Sequence, residues 1–298
     1  MFTITNKQIL TNDVKRLDIQ AEAIARRVQP GQFVMVIPRE HGEWIPLSVV
    51  EADPRKGTIT LIFQEAGPAT QLLGAMSIKE SISSIMGPLG QPSVCIKKYG
   101  IVICAASGLG AAQILPVCRA LSKLGNKVIG ILGAKTRRDL ILESQMRLAC
   151  HKIYIAANDG ADERKGSESA IVKQVLDQQV INLVYAIGNV DMMQAIAAAT
   201  HKKMVPLFVQ VSPVMCCGAG FCGSCRIRVG RQTVLACEQG PEFDGHDVDF
   251  ADLRIRLAAY QTDGRAVPPQ IPAAEISSVQ ERTVPGSFSK FFTDRLRN

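Results

Sequence analysis

The chain has 298 residues, of which 47% are hydrophobic and 5% aromatic, and it carries a formal net charge of +7. A chain of this size can bury the cores of two domains and still carry an appendage. Its basic residues are scattered and do not alternate with aromatic ones, so we expect a solvated basic surface and no nucleic-acid partner. The most apolar stretch, residues 101–118, contains a glycine loop and is followed by Arg119. It therefore predicts a buried strand, loop and helix and no transmembrane segment.

The N-terminal part of the chain alternates short β-rich runs with turn residues. The runs are residues 2–5, 14–19, 32–37, 45–50 and 58–63. This pattern predicts an antiparallel β-barrel over residues 1–96. Gly67-Pro68-Ala69-Thr70 then opens a helical run, whose free N–H groups favour a bound phosphate. Helix capping explains the same glycine and threonine equally well.

Residues 97–211 alternate strand and helix patterns. Strands are predicted at 101–105, 127–133, 152–156, 181–187 and 204–211, and helices at 111–124, 139–148, 169–178 and 190–200. This order predicts a parallel sheet covered by helices. In the loop at 107–110, a nucleotide pyrophosphate would meet a helix N-terminus, although a tight strand-to-helix turn explains its glycines nearly as well. Lys135-Thr136-Arg137-Arg138 replaces the acidic residue expected after the second strand, which favours a phosphate-bearing ribose.

Four cysteines near the C-terminus have the C-x4-C-x2-C-x11-C spacing of a plant-type two-iron two-sulfur cluster. They are Cys217, Cys222, Cys225 and Cys237. Glycines between them allow the backbone to approach the cluster sulfurs. Residues 226–229 and 232–237 are predicted as two strands of a hairpin that returns the fourth thiolate to the other three. A structural zinc site and unconnected buried thiols are the alternatives, and Cys216 could replace Cys217 as a ligand at the cost of the spacing.

The other cysteines and the histidines indicate no further chemistry. Cys95, Cys104, Cys118 and Cys150 lie in apolar stretches and are predicted to be reduced core residues. Nine cysteines with neither a disulfide pattern nor a signal peptide predict a cytoplasmic protein. The histidines are isolated, and no Ser/His/Asp or Cys/His constellation is readable, so no catalytic acid or base is predicted.

The C-terminal part of the chain begins with a helix predicted from Asp249. Residues 262–287 contain four prolines without sustained periodicity, and a short amphipathic segment follows at 288–296. We expect this tail to dock along a larger subunit, with disorder as an equal alternative.

Several motifs, taken in chain order, resemble those of one known family. They are Pro30-Gly31-Gln32-Phe33-Val34, Ile45-Pro46-Leu47-Ser48, Phe63-Gln64-Glu65-Ala66-Gly67, Gly87-Pro88-Leu89-Gly90, Ala186-Ile187-Gly188, Met192-Met193 and Pro241-Glu242-Phe243-Asp244-Gly245-His246. The chain resembles the iron–sulfur flavoprotein subunits of the ferredoxin–NADP reductase superfamily. The most similar members are the small subunit of NADH-dependent reduced ferredoxin:NADP oxidoreductase, the sulfide dehydrogenase small subunit and the dihydroorotate dehydrogenase electron-transfer subunit.

The resemblance implies specific cofactor contacts. It implies FAD on the barrel and NAD(P) on the parallel sheet. The implied flavin-ring residues are Pro46, Leu47 and Ser48, the implied FAD pyrophosphate residues are Gly67 and Thr70, and the implied NAD(P) residues are Gly108, Gly110 and Gly188. Some positions depart from the family pattern: Trp44 stands in place of an arginine, residues 105–107 in place of a glycine run, residues 158–160 in place of an acidic pair, and Cys217 where ferredoxin:NADP relatives often carry aspartate.

The predicted fold class is therefore an α+β multidomain protein. It has a flavin-binding antiparallel β-barrel at 1–96, a nucleotide-binding α/β parallel-sheet domain at 97–211, a 2Fe-2S loop and hairpin at 212–248, and a helix with an extended partner-docking tail at 249–298. The resemblance implies an electron-transfer subunit that passes electrons between NAD(P)H, FAD and the 2Fe-2S cluster, to or from a larger flavoprotein or iron–sulfur partner or ferredoxin. A dihydroorotate dehydrogenase electron-transfer subunit is one alternative. A non-catalytic redox sensor or structural subunit is another.

Overall fold

The computed structural model describes residues 2–94, 97–157 and 166–260. These residues belong to one of two units into which the chain divides, residues 1–265, and the other unit is residues 266–298. Three predictions lie outside the described residues: the burial of Cys95, the role of residues 158–160, and the docking tail beyond residue 260.

The N-terminal sheet consists of seven strands in the order β6-β1-β2-β5-β4-β3-β7, and its neighbouring strands are antiparallel. The elements are β1 (Phe2–Ile9), β2 (Val14–Gln20), α1 (Glu22–Ala25), β3 (Phe33–Ile37), β4 (Ile45–Asp53), β5 (Thr58–Gln64), α2 (Pro68–Ala75), β6 (Ser81–Ile82) and β7 (Ser84–Leu89). One apolar core collects side chains from every strand, including Ile4, Leu61 and Ile85, so the sheet is a half-barrel. The five predicted strands are confirmed, whereas β6 and β7 were not predicted.

The second sheet has the order β10-β9-β8-β11-β12-β15, with its first five strands parallel. Its elements begin with β8 (Ile101–Ser107), α3 (Gly110–Lys123), β9 (Lys127–Ala134), α4 (Glu143–Ala149), β10 (Lys152–Ala157), α5 (Glu168–Gln178), β11 (Leu183–Ile187), α6 (Val190–Lys202) and β12 (Leu207–Gln210). The predicted alternation is confirmed. The helix expected from residue 139 begins at Glu143, because Thr136 and Asp139 instead close a short 3-10 turn through a 3.1 Å hydrogen bond from the Thr136 N–H.

The segment that carries the four cysteines leaves the second sheet after β12 and returns to it. It contains β13 (Arg226–Val229), β14 (Gln232–Leu235), α7 (Ala236–Gln239), β15 (Glu242–Asp244) and α8 (Phe250–Ala259). The β13–β14 hairpin and the helix after Asp249 are confirmed. The second hairpin strand was predicted to reach Cys237, but it ends at Leu235, and Cys237 lies on α7. Strand β15 was not predicted, and it pairs antiparallel with β12.

Two apolar cores cover the faces of the second sheet. The core on one face joins α5 and α6 to the cysteine segment. The core on the other face joins α3 and α4 to barrel residues Val14, Val50 and Ile62. Glu51 of the barrel accepts hydrogen bonds from Arg119 of α3 and from Arg16, which reinforces this contact. No helix in the described ranges is both long and apolar enough to cross a membrane.

Candidate cofactor and cluster site

A cavity of about 340 Å³ lies where the half-barrel, the carboxyl ends of the parallel strands and the segment after β12 meet. Its lining residues are Phe33, Pro46, Ser48, Ser107, Leu109, Gly110, Gln113, Gly188, Gln210, Val211, Ser212, Pro213, Met215 and Pro241. Four residues predicted to bind cofactors, Pro46, Ser48, Gly110 and Gly188, are therefore brought together. The cavity lies at the carboxyl ends of β8 and β11, the position at which sheets of this kind bind ligands.

Leu47 does not line the cavity with its neighbours. Successive side chains on a strand point to opposite faces, so β4 presents Pro46 and Ser48 to the cavity while the Leu47 side chain packs into the core of the half-barrel. The predicted role of Leu47 at a flavin ring stays a prediction.

The turn at residues 67–70 lies at the start of α2 and is not part of the cavity lining. The Thr70 hydroxyl accepts a hydrogen bond from the Gly67 N–H at 3.0 Å and lies 2.9 Å from the Gly67 carbonyl oxygen. The capping interpretation of these residues is thus supported by direct contacts. The predicted pyrophosphate role of Gly67 and Thr70 stays a prediction.

The glycine loop between β8 and α3 is shaped by close packing at the ends of β8 and β11. Gly108 has a positive φ of 55°, and its N–H donates to the Gly133 carbonyl at 2.8 Å. A methyl group at Gly110 would lie 2.6 Å from the Ile187 carbonyl oxygen, and one at Gly188 would lie 2.9 Å from Ser107 Cβ. Only glycine allows these approaches. They leave the N-terminus of α3, with its free N–H groups, at the cavity wall.

Gln210 was missed by the sequence analysis. It is the last residue of β12, the residue is only 3% exposed, and it lines the cavity. Its Oε1 has no hydrogen-bond partner. In the sequence, a polar residue at this position is explained by the end of an apolar strand. The sequence therefore does not indicate that the Gln210 side chain is buried beside a cavity.

Glu242 belongs to one of the family motifs but was not predicted as a site residue; it is half-buried and lies opposite Gln210. Glu242 on β15 accepts hydrogen bonds from the Tyr185 hydroxyl and, at 3.0 Å, from the Val94 N–H. Burial raises the pKa of Glu242, although the hydrogen bonds from Ser93, Tyr185 and Val94 act in the opposite direction. This acid ties the end of the half-barrel to the edge of the second sheet.

The four motif cysteines form two pairs. Cys225 and Cys237 are buried, with 3.3 Å between their sulfur atoms. Cys217 is also buried, whereas Cys222 is exposed. Burial disfavours the Cys222 thiolate, but hydrogen bonds from Ser224 and Cys217 outweigh it and lower the pKa of Cys222 to about 6. Burial, followed by the contact with Cys225, raises the pKa of Cys237 to about 12.

No three His, Cys, Asp or Glu side chains in the described ranges, which include all four motif cysteines, are arranged to hold one metal ion. The cysteines instead present a pair at 217 and 222, linked through a hydrogen bond, and a pair at 225 and 237. A two-iron cluster needs two thiolates for each of its irons, and these two pairs supply that donor set.

The glycines of the cysteine loop have the conformations that the sequence predicts. Gly218, Gly220 and Gly223 have φ values of 66°, 80° and 71°, in the left-handed region that favours glycine. A methyl group at Gly218 would lie 2.5 Å from Met35 Cγ of β3. The loop is therefore seated directly on the half-barrel.

The remaining cysteines and the substituted family positions can also be located. Cys104 and Cys118 are buried as predicted, and Cys150 is half-buried. Cys216 is exposed, and its N–H donates to Ser224 Oγ at 3.2 Å. Trp44 is half-buried against the core that contains the cysteine segment. Lys135 and Arg138 are exposed at the end of β9.

Solved structures show the class to which this architecture belongs. A chain of the NADH-dependent reduced ferredoxin-NADP oxidoreductase, determined to study flavin-based electron bifurcation, is 30% identical, with a TM-score of 0.83 over 88% of this chain and 94% of that chain. A ferredoxin NADP+ reductase from Neisseria gonorrhoeae with bound FAD and NADP is 16% identical, with a TM-score of 0.55 over 67% and 89%, and shows the fold alone. The half-barrel and the mixed sheet form a ferredoxin reductase-like fold.

Sequence comparison shows the family. Residues 212–249 match the iron-sulfur cluster binding domain of dihydroorotate dehydrogenase B. The dihydroorotate dehydrogenase B (NAD(+)) electron transfer subunit homolog of Thermotoga maritima is 32% identical over 87% of this chain and 91% of its own length. An uncharacterized protein of Clostridium beijerinckii is 35% identical over 88% and 92%. The chain belongs to the family of dihydroorotate dehydrogenase B electron transfer subunits and their homologues.

Proposed function

We propose that this protein is the electron-transfer subunit of an oxidoreductase complex, which exchanges electrons with NAD(P)H and passes them to or from a larger flavoprotein or iron–sulfur partner. The observation that carries the proposal is the continuity of the cavity with the cysteine loop. Met215 lines the cavity two residues before Cys217, and Gly218 is seated on Met35 of the barrel. A ligand in the cavity would therefore lie next to the loop that holds the thiolates.

The residues around the cavity suit a flavin and a nicotinamide. Pro46 and Ser48 offer a barrel wall for the flavin ring, and Gly110 and Gly188 line the part of the cavity proposed for NAD(P), at the carboxyl ends of β8 and β11. Gly67, Thr70 and Gly108 are proposed for the phosphates because they start helices or the loop before one. When bound, a flavin converts the two-electron hydride of a nicotinamide into the single electrons that an iron–sulfur cluster carries.

The protein itself has a positioning role in this proposal. Asn189 caps α6 by accepting from the Met192 N–H at 2.8 Å, and its Nδ2 lies 3.4 Å from Ser107 Oγ at the cavity wall. Gly110 and Gly188 allow close packing at the ends of β8 and β11, and the loop after β12 forms a further wall of the cavity. No acid or base of the chain is assigned a catalytic step.

The cluster assignment uses Cys217, Cys222, Cys225 and Cys237. The pairs 217/222 and 225/237 would each serve one iron, and the lowered pKa of Cys222 favours the thiolate that binds metal. The proposal divides the chain into four functional segments. They are a flavin-binding half-barrel at 1–96, a nucleotide-binding domain at 97–211, the cluster module at 212–248 and a partner-docking segment at 249–298.

The absorption spectrum of the purified full chain tests the proposal. We expect flavin bands together with iron–sulfur bands, and we expect both sets to bleach when NADH or NADPH is added without oxygen. A spectrum with cluster bands alone would favour a redox sensor, and a spectrum with neither would favour a structural subunit. Either result would overturn the proposed activity.

Two neighbouring cysteines provide a matched pair of variants. Cys222→Ser should remove the iron–sulfur bands and the bound iron, because it replaces a proposed ligand. Cys216→Ser should keep both, because the exposed Cys216 is not needed for the two pairs. Retention of iron in the first variant and loss in the second would mean that Cys216 is the ligand.

A further inference from the structure

The Gln210 carboxamide is a buried polar group, and the protein leaves one of its hydrogen-bonding atoms without a partner. Among the residues that the structure describes, its Oε1 is the one buried side-chain oxygen or nitrogen without a hydrogen-bond partner. An acceptor left in this state carries a free-energy cost of about 1–3 kcal/mol. Buried polar groups in native proteins are nearly always paired, so an exception beside a cavity indicates a partner supplied by a ligand or water.

The strand register sets where this carboxamide lies. On β12, Phe208 packs into the core on the barrel side of the sheet, and Gln210, two residues further, points to the same face. Gln210 is opposite Ile187 on β11 and opposite Glu242 on β15. The Glu242 carboxyl group accepts from Tyr185 and Val94 and makes no hydrogen bond to the Gln210 Oε1.

The other polar side chains that line the cavity make no hydrogen bond to the Gln210 Oε1; they are Ser48, Ser107, Gln113 and Ser212. Pro46, Pro213 and Met215 form apolar walls, and Ser107 is already within 3.4 Å of the Asn189 side chain. A cofactor site of this kind fixes ligand orientation with a small number of placed polar groups. A carboxamide offers both an acceptor and two N–H donors, and its ends exchange by rotation about its last torsion.

We propose that Gln210 recognises the cofactor in this cavity by pairing with an amide-type edge of the ligand, an N–H donor next to a carbonyl. Two groups carry this chemistry, the imide edge of the flavin ring and the carboxamide of nicotinamide. The inference rests on the proposed function and extends it, since it assigns a recognition residue outside the predicted motifs.

The test compares Gln210→Met with the unchanged chain, using ligands that lack the N–H donor. FAD and its N3-methyl analogue are titrated into flavin-free protein, with flavin fluorescence as the readout. NADH and the reduced acetylpyridine analogue, which has no carboxamide, are titrated into the flavin-loaded protein. The unchanged chain should bind the donor-lacking analogue of one pair about 2- to 12-fold more weakly, the contribution of one hydrogen bond.

In Gln210→Met, the ligand and its donor-lacking analogue should bind with equal affinity. The ligand pair for which the affinity difference disappears identifies the ligand that Gln210 contacts. The thermal midpoint of the flavin-free variant should not fall, because Oε1 has no protein partner to lose. The control is Asn126→Leu, just before β9 at the amino ends of the parallel strands; the Asn126 side chain accepts from the Tyr99 N–H at 2.7 Å and donates to Leu121 O at 2.9 Å. This variant should lose stability and keep both discriminations.

Unchanged discrimination in Gln210→Met for both ligand pairs would overturn the inference and would mean that water or packing completes Gln210. A lowered midpoint with unchanged affinities would assign Gln210 a purely structural role and would also overturn it. Failure of the unchanged chain to bind FAD at all would instead refute the proposed function.

Discussion

Two glycine turns that precede helices look alike in the sequence but have different surroundings in the fold. The turn at 107–110 joins β8 to α3, and a methyl group added at Gly110 would lie 2.6 Å from the Ile187 carbonyl oxygen at the end of β11. The turn at 67–70 has an extended Gly67, where a methyl group would have no neighbouring atom within 4 Å, and its threonine caps the helix. A glycine before a helix therefore indicates a ligand site most strongly where the sheet also places the ends of two strands beside it.

The largest expected effect is a difference in folding stability between alanine substitutions in the two turns. Gly110→Ala would place a methyl group 2.6 Å from the Ile187 carbonyl oxygen, and we expect it to cost about 1–3 kcal/mol of folding stability and to displace the cavity wall. Gly67→Ala meets no such contact and should cost only about 0.5–1 kcal/mol through weaker capping. Denaturant unfolding and retained flavin measure both variants. Equal losses would remove the distinction between the turns.

A smaller effect tests whether the second turn does more than cap a helix. Thr70→Val keeps the side-chain shape and removes the hydroxyl that caps Gly67, so we expect a loss of about 1 kcal/mol in stability. Under the proposed pyrophosphate role, the affinity for FAD should fall as well, and Thr70→Ser should restore it. If the FAD affinity of Thr70→Val equals that of the unchanged chain, the turn at 67–70 is a cap alone.

The smallest expected effect concerns Glu242, the acid that joins β15 to the end of the half-barrel. Burial raises the pKa of Glu242 above its usual value of 4.5. The protonated form is thus favoured in the fold, and its contribution to stability is complete below that pH and lost as pH rises through the raised pKa. Glu242→Gln resembles the protonated acid and should give a flatter stability profile above pH 4.5. Denaturant midpoints across pH measure this, and profiles of equal slope would contradict it.

The sequence predicts the long elements well because their apolar periodicity is strong. It misses β6 and β15, which have only two and three residues, and β7, which contains Gly87 and Pro88. Short edge strands carry too few alternations to be read, and they form because a neighbouring strand offers unpaired backbone groups. Sequence spacing also singles out the four cysteines, since their proposed ligand role depends on loop length.

Other site features depend on tertiary contacts that no local pattern encodes. Successive side chains of β4 point to opposite faces of the sheet. Residues 46 and 48 face the cavity, so the side chain of Leu47 faces the core. The buried position of Gln210 results from the pairing of β12 with β11 on one side and β15 on the other. Both strands are separated from β12 in the sequence. Such residues are identified only when the register of the sheet is known.

The return of the chain through β15 has a consequence for how iron enters the protein. The excursion that carries the cysteines leaves at Val211 and comes back at Pro241, where the Val211 N–H donates to the Pro241 carbonyl at 3.0 Å. The scaffold thus joins the ends of this long loop. The entropic cost of closing the loop is therefore met by folding of the scaffold and not by metal binding. We expect the body of the protein to fold without iron and to present prearranged thiols to the cellular machinery that delivers it.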